Sequence, residues 1–344
     1  MTRSKKVLVT GGAGYIGAHA SVELIQQGYT PVIIDNFSKS DRTLLSGIEE
    51  ITNTQVRLYE GDCTDRNFLK KLFALEPGIE AVMHFAAYKS VGESVEQPLK
   101  YYENNVGSLL ALLEIMGEER IQNFIFSSSC TVYGQPDVIP VDEQAPFKRA
   151  ESPYGATKQM CERILEDSVV SNKELNVISL RYFNPVGAHP SALIGEVPLD
   201  VPGNLVPFIT QTAAGIREKL RIFGNDYATP DGTCLRDFIH VVDLAQAHVV
   251  ALGKMLQPGA LERYEVFNLG SGEGVSVLQL VKKFIEVTGV SLPYEIGPRR
   301  SGDVEKTYAN PDKALHKLGW KTSLTIGQAL LHAWNWQKKI SGIK

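Results

Sequence analysis

Tyr154 and Lys158 stand four residues apart in the stretch Ser152-Pro153-Tyr154-Gly155-Ala156-Thr157-Lys158. On an α-helix that spacing places both side chains on one face, one turn apart. Pro153 suits a first helical turn, and the run from Gly155 to Glu166 has few breakers before Ser171-Asn172, so a helix is predicted under the pair. A phenol beside an ammonium can pass a proton at neutral pH, because positive charge favours the phenolate and brings its pKa down from about 10. Of thirteen tyrosines, only Tyr154 has a lysine at this spacing. Composition alone can place one such pair on an exposed helix face, so its meaning depends on what surrounds it.

A second chemical feature is Gly11-Gly12-Ala13-Gly14-Tyr15-Ile16-Gly17, between the apolar run Val7-Leu8-Val9-Thr10 and a helical pattern from Ile16 to Gln27. Gly11, Gly14 and Gly17 let the backbone turn tightly and approach a pyrophosphate, whose charge meets the helix N-terminus. Asp35 follows about twenty residues later, after a second apolar run, where a ribose-binding carboxylate belongs. A carboxylate there repels a 2′-phosphate, so NAD is expected rather than NADP. Gly61-Asp62-Cys63 and Phe85-Ala86-Ala87-Tyr88-Lys89 follow two further strand patterns. Asp62 is placed to reach adenine, and the small Ala86 and Ala87 permit close approach.

The elements that must hold these residues read as alternating strand and helix. Strands are expected at Val7–Thr10, Pro31–Ile34, Val56–Tyr59, Ala81–His84, Phe124–Phe126 and Asn176–Leu180, with a helix near Pro98–Gly117. Such alternation means right-handed parallel crossovers, and fully apolar strands fit a sheet covered on both faces. The expected fold is α/β: a doubly wound parallel (Rossmann) sheet with a smaller C-terminal α/β substrate domain. From Phe183 onward, Pro185, Pro190, Pro198, Pro202 and Pro207 indicate a loop-rich cap. Regular structure returns at Leu220–Phe223 and Val242–Met255, Glu265–Leu269 reads as one more sheet strand, and short helices and loops are expected beyond. The implied division is 1–182, with 238–269 returning to it, against 183–237 and 270–344.

With 344 residues, 43% hydrophobic and 22% charged, the chain has the composition of a soluble globular protein. A net charge of −4 gives no reason to expect nucleic acid or an anionic membrane, and no apolar run is long enough for a signal core or a membrane span. Cys63, Cys130, Cys161 and Cys234 are scattered, which suggests free thiols and a cytoplasmic location. The seven histidines form no metal-ligand pattern, so no bound metal is expected.

Ser127-Ser128-Ser129-Cys130-Thr131-Val132-Tyr133-Gly134 reads as a polar turn after the fifth strand, where a hydroxyl can donate to a sugar oxygen or polarise a carbonyl. Together, the glycine loop, this serine run and Tyr154/Lys158 resemble the extended short-chain dehydrogenases. Longer strings resemble the UDP-glucose 4-epimerase family within them: His84-Phe85-Ala86-Ala87-Tyr88-Lys89-Ser90-Val91-Gly92-Glu93-Ser94, Arg181-Tyr182-Phe183-Asn184-Pro185-Val186-Gly187-Ala188-His189-Pro190 and Ile222-Phe223-Gly224-Asn225-Asp226-Tyr227. Arg236-Asp237-Phe238-Ile239-His240-Val241 and Pro298-Arg299-Arg300-Ser301-Gly302-Asp303 extend the likeness over nearly the whole chain.

The resemblance implies roles. Ser129, Tyr154 and Lys158 would be catalytic. Tyr15, Ile16, Asp35, Asn36, Phe37, Ser38, Lys39, Ser40, Asp62, Cys63, Phe85, Ala86, Ala87, Tyr88, Lys89, Asn104 and Phe183 would surround NAD. Asn184, Asn204, Leu205, Phe223, Arg236, Arg300 and Asp303 would hold a UDP-hexose. The residue types suit this: guanidinium forks bind diphosphate oxygens, a carboxylate accepts from ribose hydroxyls, and Phe223 offers apolar contact to uracil. The implied reaction is a self-cancelling oxidation at C4, with Tyr154 taking the proton of the 4-hydroxyl and the UDP anchored while the sugar turns over. A homodimer through sheet-flanking helices such as Pro98–Met116 is also implied.

Two other readings compete. Nucleotide-sugar 4,6-dehydratases share the loop and the Tyr/Lys pair but carry an Asp-Glu pair where this chain has Ser129-Cys130-Thr131-Val132. A cofactor-sensing protein without chemistry need not keep Tyr154 and Lys158 together. In the family, the residue four after Asp303 walls the sugar pocket, a tyrosine there accompanying plain hexoses and a smaller residue N-acetylhexosamines. Thr307 holds that position, with Tyr308 next to it, so UDP-N-acetylglucosamine is an expected additional substrate unless a one-residue shift brings Tyr308 into the wall.

Overall fold

The computed structural model describes residues 4–199, 201–300 and 304–343. The chain runs through β1 (Lys6–Thr10), α1 (Tyr15–Gln26), β2 (Thr30–Asp35), α2 (Thr43–Thr52), β3 (Arg57–Glu60), α3 (Arg66–Leu75), β4 (Ile79–His84), α4 (Val91–Glu96), α5 (Pro98–Tyr101), α6 (Gly107–Glu118), β5 (Asn123–Ser129), α7 (Pro153–Ser171) and β6 (Asn176–Tyr182). It continues through β7 (Asn184–Val186), α8 (Leu205–Ala213), β8 (Leu220–Phe223), β9 (Leu235–Arg236), β10 (Phe238–His240), α9 (Val241–Met255), β11 (Tyr264–Leu269), β12 (Val275–Ser276), α10 (Val277–Thr288), β13 (Tyr294–Gly297), β14 (Lys306–Thr307) and α11 (Ile326–Ser341).

Seven strands form one parallel sheet in the order β3-β2-β1-β4-β5-β6-β11. Alternate residues of each strand enter opposite cores, as the pleat requires. Val7, Val9, Ile33 and Met83 pack with Ala18 and Val22 of α1 and Leu244 and Ala247 of α9. Leu8, Val32, Ile34 and Phe126 pack with Leu69 of α3, Leu112 of α6 and Leu165 of α7. Strand order reverses between β1 and β4, which opens a crevice beyond their carboxyl ends.

A third core gathers Val206 and Ile209 of α8, Leu220 and Ile222 of β8, Leu280 and Phe284 of α10 and Leu330 and Trp334 of α11. β8 pairs in parallel with β13, and β9 lies between β12 and β14. The short helices expected here are longer than the sequence suggested: α10 has 12 residues and α11 has 16. Each opens with a capping box, Ser276 with Gln279 and Thr325 with Gln328, which satisfies two otherwise orphaned N–H groups. Pro207 does not break α8; it sits in the first turn, where a missing N–H costs nothing.

Two further differences concern the site. Ser127, Ser128 and Ser129 are not in a turn but are the last residues of β5, paired with Leu180, Arg181 and Tyr182 of β6. Their burial is possible because α7 brings polar partners to the strand end: Ser128 Oγ donates to Glu162, and Lys158 Nζ donates to the Ser127 carbonyl. The helix expected near Pro98–Gly117 is interrupted by a π-turn, Tyr102–Val106, which carries Asn104 and Asn105; such bulges collect at functional sites.

Candidate active site

After β1 the chain turns at Gly11, whose φ of 69° favours glycine and whose N–H donates to the Ile34 carbonyl at 2.7 Å. A Cβ on Gly11 would lie 2.8 Å from the Ala86 nitrogen, and one on Gly17 would lie 2.3 Å from the Gly11 carbonyl oxygen. The loop, α1 and the segment after β4 therefore touch backbone to backbone. Gly14 is the N-cap of α1, and the first turn has neither a side-chain cap nor an acidic residue. Its amides keep their capacity for an anion. This cradle fits a dinucleotide pyrophosphate.

Asp35 ends β2, and its buried carboxylate accepts from Ala13 N at 3.0 Å, Phe37 N at 2.9 Å and Ser40 Oγ at 2.6 Å. It thus ties the glycine loop to the following turn, a role the sequence does not display. Asn36 donates to Asp62 at 2.9 Å and receives Ser38 N at 3.0 Å. Burial pushes Asp62 up, but hydrogen bonds from Thr64 and Asn36 prevail and hold its carboxyl below the ordinary value. Arg42 lies over Phe37 at 4.0 Å, and Lys39 is 3.8 Å from Glu93. Cys63 is buried, which raises its thiol well above the ordinary value.

Phe85 packs on His248 at 4.9 Å, and Tyr88 N and Asn104 Nδ2 both donate to Asn105 Oδ1, at 2.9 and 3.0 Å. Ala87 lies between them in the segment joining β4 to α4. Lys89 pairs with Glu196 at 2.8 Å. Tyr15 donates to the Gly187 carbonyl at 2.7 Å, and Ile16 packs against the sheet core. Phe183 is buried with Val132, Tyr133, Val141 and Ala309.

Ser129 ends β5 and faces the first turns of α7. Ser152 caps that helix, accepting Gly155 N at 3.2 Å, and Pro153 is its first residue, as expected. Lys158 is buried; its Nζ donates to the Ser127 carbonyl at 2.6 Å and lies 5.9 Å from the Tyr154 ring centre. Burial brings its ammonium down to about 8, against the raising influence of neighbouring Cys161 and Glu162. Burial likewise pushes the Tyr154 phenol up to about 12, with the Ser129 hydroxyl hydrogen-bonded to it pulling the other way. The expected lowering of the phenol by Lys158 is therefore not met by the protein alone. The ammonium spends its short hydrogen bond on the Ser127 carbonyl, and desolvation of the phenolate is the largest influence on Tyr154.

On the other side of the crevice, Asn184 N and Nδ2 both donate to the Asp237 carbonyl, at 3.0 and 2.9 Å. Asn204 is the N-cap of α8, with Leu205 as its first residue, and Asn204 Nδ2 donates to Glu196 at 2.7 Å. Phe223 ends β8, and the Arg300 guanidinium lies 5.6 Å from its ring. Arg236 donates to the Val304 carbonyl at 2.6 Å, and its charge reaches Cys130, next to Ser129. Thr307 is directly paired with Arg236 across β9 and β14, so the two share a face. Tyr308 goes the opposite way: its ring covers Gly274, where a Cβ would lie 2.9 Å from it. Asp303 lies outside the described residues.

Several residues of this region escaped the sequence reading. Asp237 is fully buried and accepts four hydrogen bonds, from Ser271 N and Oγ at 2.7 Å, Gly272 N at 3.1 Å and Ala309 N at 3.0 Å. It anchors the loops that carry Arg236 and Thr307 toward the sheet. Glu196 joins Lys89 to Asn204 through one oxygen. Glu162 and Arg181 form a buried pair behind Lys158. The available signals were Glu162 one turn beyond Lys158 and a lone arginine inside an apolar strand.

The model of the NAD dependent epimerase/dehydratase family matches residues 7–270. A UDP-glucose 4-epimerase of Yersinia pestis is 50% identical over 334 residues, 97% of each chain. The crystal structure of the UDP-glucose 4-epimerase from Bifidobacterium longum, in complex with NAD+ and UDP, superposes with a TM-score of 0.93 at 43% identity, covering 99% of this chain and 100% of that one. The UDP-Glc/GlcNAc 4-epimerase of Campylobacter jejuni superposes with a TM-score of 0.83 at 35% identity, covering 98% and 100%. The switch-point crevice, its glycine cradle and the Ser129–Tyr154–Lys158 group thus lie in a chain that belongs to the NAD-dependent epimerase/dehydratase family and, within it, to the UDP-glucose 4-epimerases.

Proposed function

We propose that this protein interconverts UDP-glucose and UDP-galactose by inverting C4 through a transient 4-keto sugar, with NAD held throughout. The observation that carries the reading is the half-buried Tyr154, with buried Ser129 and Lys158 beside it at the end of β5, next to the glycine cradle, and with no carboxylate in 129–132 to expel water. NAD would lie along Gly11, Gly14 and Gly17 toward Asp35, and when bound it supplies a nicotinamide that takes and returns the hydrogen of C4.

Tyr154 then accepts the proton of the sugar 4-hydroxyl and returns it to the same oxygen after inversion. Ser129 keeps the phenol oriented and donates to the oxygen at C4. Lys158, fixed on the Ser127 carbonyl, supports the phenolate. Arg236 and Arg300 hold the diphosphate, Phe223 the uracil, and Asn184, Asn204 and Leu205 the remaining contacts, so the hexose can turn while its nucleotide stays in place. Asp303 completes this set in the same reading.

The division into a nucleotide domain, 1–182 with 238–269, and a UDP-sugar domain, 183–237 with 270–344, is supported by β11 closing the main sheet and by the separate third core. A homodimer is supported by exposed Val95, Leu99, Leu110 and Met160 on α4 to α7. Free Cys63, Cys130, Cys161 and Cys234 support a cytoplasmic location; among the described residues no helix is long and apolar enough to cross a membrane.

The direct test is conversion of UDP-galactose by the purified protein. Appearance of UDP-glucose without added cofactor supports the reading; a 4-keto-6-deoxy product or no turnover overturns it. Because Thr307, not Tyr308, shares the face of Arg236, we further propose that UDP-N-acetylglucosamine is accepted. Thr307→Tyr should lower kcat/KM for the N-acetyl substrate relative to UDP-glucose by about tenfold or more, the cost of a filled pocket. An unchanged ratio removes the argument.

A further inference from the structure

Tyr154, Lys158 and Glu162 lie at successive four-residue intervals on α7 and form one stripe down the face packed on the sheet. The stripe ends in a closed polar cluster. Glu162 accepts from Arg181 Nε at 2.9 Å and from Arg181 Nη2 at 2.6 Å, a two-pronged pair whose side chains are 2% and 5% exposed. Ser128 Oγ donates to the same carboxylate. Arg181 also donates to the Tyr133 hydroxyl at 2.8 Å, which in turn donates to Asn268 Oδ1 at 2.6 Å. Ser128 and Arg181 are direct partners across β5 and β6. One carboxylate thus grips two adjacent strand ends, and the residues on either side of Ser128 are Ser127, whose carbonyl receives Lys158, and Ser129.

We propose that the Glu162–Arg181 pair is the positioning unit of the proton-transfer site: it sets the distance between α7 and the end of β5, and it supplies the negative charge beside which Lys158 stays protonated. The inference rests on the reading that Lys158 serves Tyr154. A buried ion pair adds little net stability over an apolar replacement, so stability alone does not account for its presence here. The groups facing Lys158 are few. Tyr154, Cys161 and Glu162 come from α7, the Ser127 carbonyl and the Phe126 ring from β5, and His84 from β4, kept neutral by burial and then by the Lys158 charge. Beyond Glu162 stand Arg181, Tyr133 and Tyr264, whose hydroxyl donates to the Glu162 carbonyl at 3.3 Å. Buried Cys161 has its thiol pushed up to about 12 and so carries no charge at neutral pH, which leaves Glu162 as the anion acting on Lys158.

The sign follows. Replacing Glu162 by glutamine keeps the shape and an oxygen for Ser128 but removes the anion, so the ammonium gives up its proton at lower pH. In Glu162→Gln the alkaline limb of kcat should move down by about one pH unit, with kcat near pH 8 reduced about fivefold and KM and UDP affinity unchanged. A purely structural role predicts a lower melting temperature and an unmoved limb. If Glu162→Gln does not fold, Ser128→Ala, which keeps both charges and cuts only the tether to β5, should lower kcat about fivefold at constant KM. An unmoved limb in folded Glu162→Gln, or wild-type kcat in Ser128→Ala, overturns the inference. Lys158→Met separates the two levels: its inactivity leaves the reading of Lys158 standing whatever Glu162 does, whereas wild-type turnover sinks that reading itself.

Discussion

Tyr154→Phe should lower kcat for UDP-galactose by about a thousandfold, the range expected when a positioned general base is lost, while UDP binds as before. The phenol oxygen lies by the end of β5 with a hydroxyl partner in Ser129 and a lysine one turn along its helix. Phenylalanine keeps the ring and its packing, so melting temperature should change little. The proposed nucleotide contacts lie elsewhere, around Phe223, Arg236 and Arg300, which predicts that UDP affinity, measured by calorimetry, is unaltered. The variant should also retain its cofactor. A rate within tenfold of wild type would place proton transfer on another group. The starting phenol, raised to about 12 by burial, gives a second observable. Activity of the wild type should depend on the oxidised cofactor being in place, and protein stripped of cofactor should show no inversion at C4 until NAD is restored.

Gly17→Ala is the second large effect. A Cβ there would sit 2.3 Å from the Gly11 carbonyl oxygen and 2.8 Å from the Gly12 Cα, and neither backbone atom can rotate away. Helix α1 must therefore lift from the loop, opening the close contact between α1 and the turn that carries Gly11. The turn itself is held at both ends, by the Ile34 carbonyl on Gly11 N and by Asp35 on Ala13 N, so the strain cannot dissipate along it. Overpacking of this kind costs about 1–3 kcal/mol, and the lost alignment of the helix N-terminus weakens anion binding further. Purified Gly17→Ala should contain less than about one tenth of the cofactor bound by the wild type, with reduced melting temperature; normal cofactor content would show that the loop does not hold the pyrophosphate.

Much of this was readable in one dimension because the physics involved is local. The strand-loop-helix around Gly11 to Gly17, the position of Asp35 and the helix under Tyr154 follow from periodicity, turn chemistry and capping. All three are found where expected, with Ser152 and Pro153 opening α7 as anticipated. The serines after Phe126 were misplaced because a polar run after an apolar strand normally signals a turn. Partners from α7 make a buried serine end favourable, Glu162 accepting from Ser128 and Lys158 donating to the Ser127 carbonyl, and strand pairing between β5 and β6 joins residues about fifty positions apart.

The same distinction separates the site residues. By itself the sequence determined the kinds of group present, their spacing along single elements and the order of strands and helices, since each depends on neighbours within a few residues. Only the tertiary structure decided which groups meet and what charge they can carry. Burial, set by packing from both faces of the sheet, raises Tyr154 and lowers Lys158, reversing the expectation drawn from their proximity. Long-range closure gives Asp237 its four donors, Glu196 its two partners and Thr307 its place beside Arg236. Desolvation and cross-strand register belong to the packed assembly, because each is a property of residues distant in the chain brought within a few ångströms.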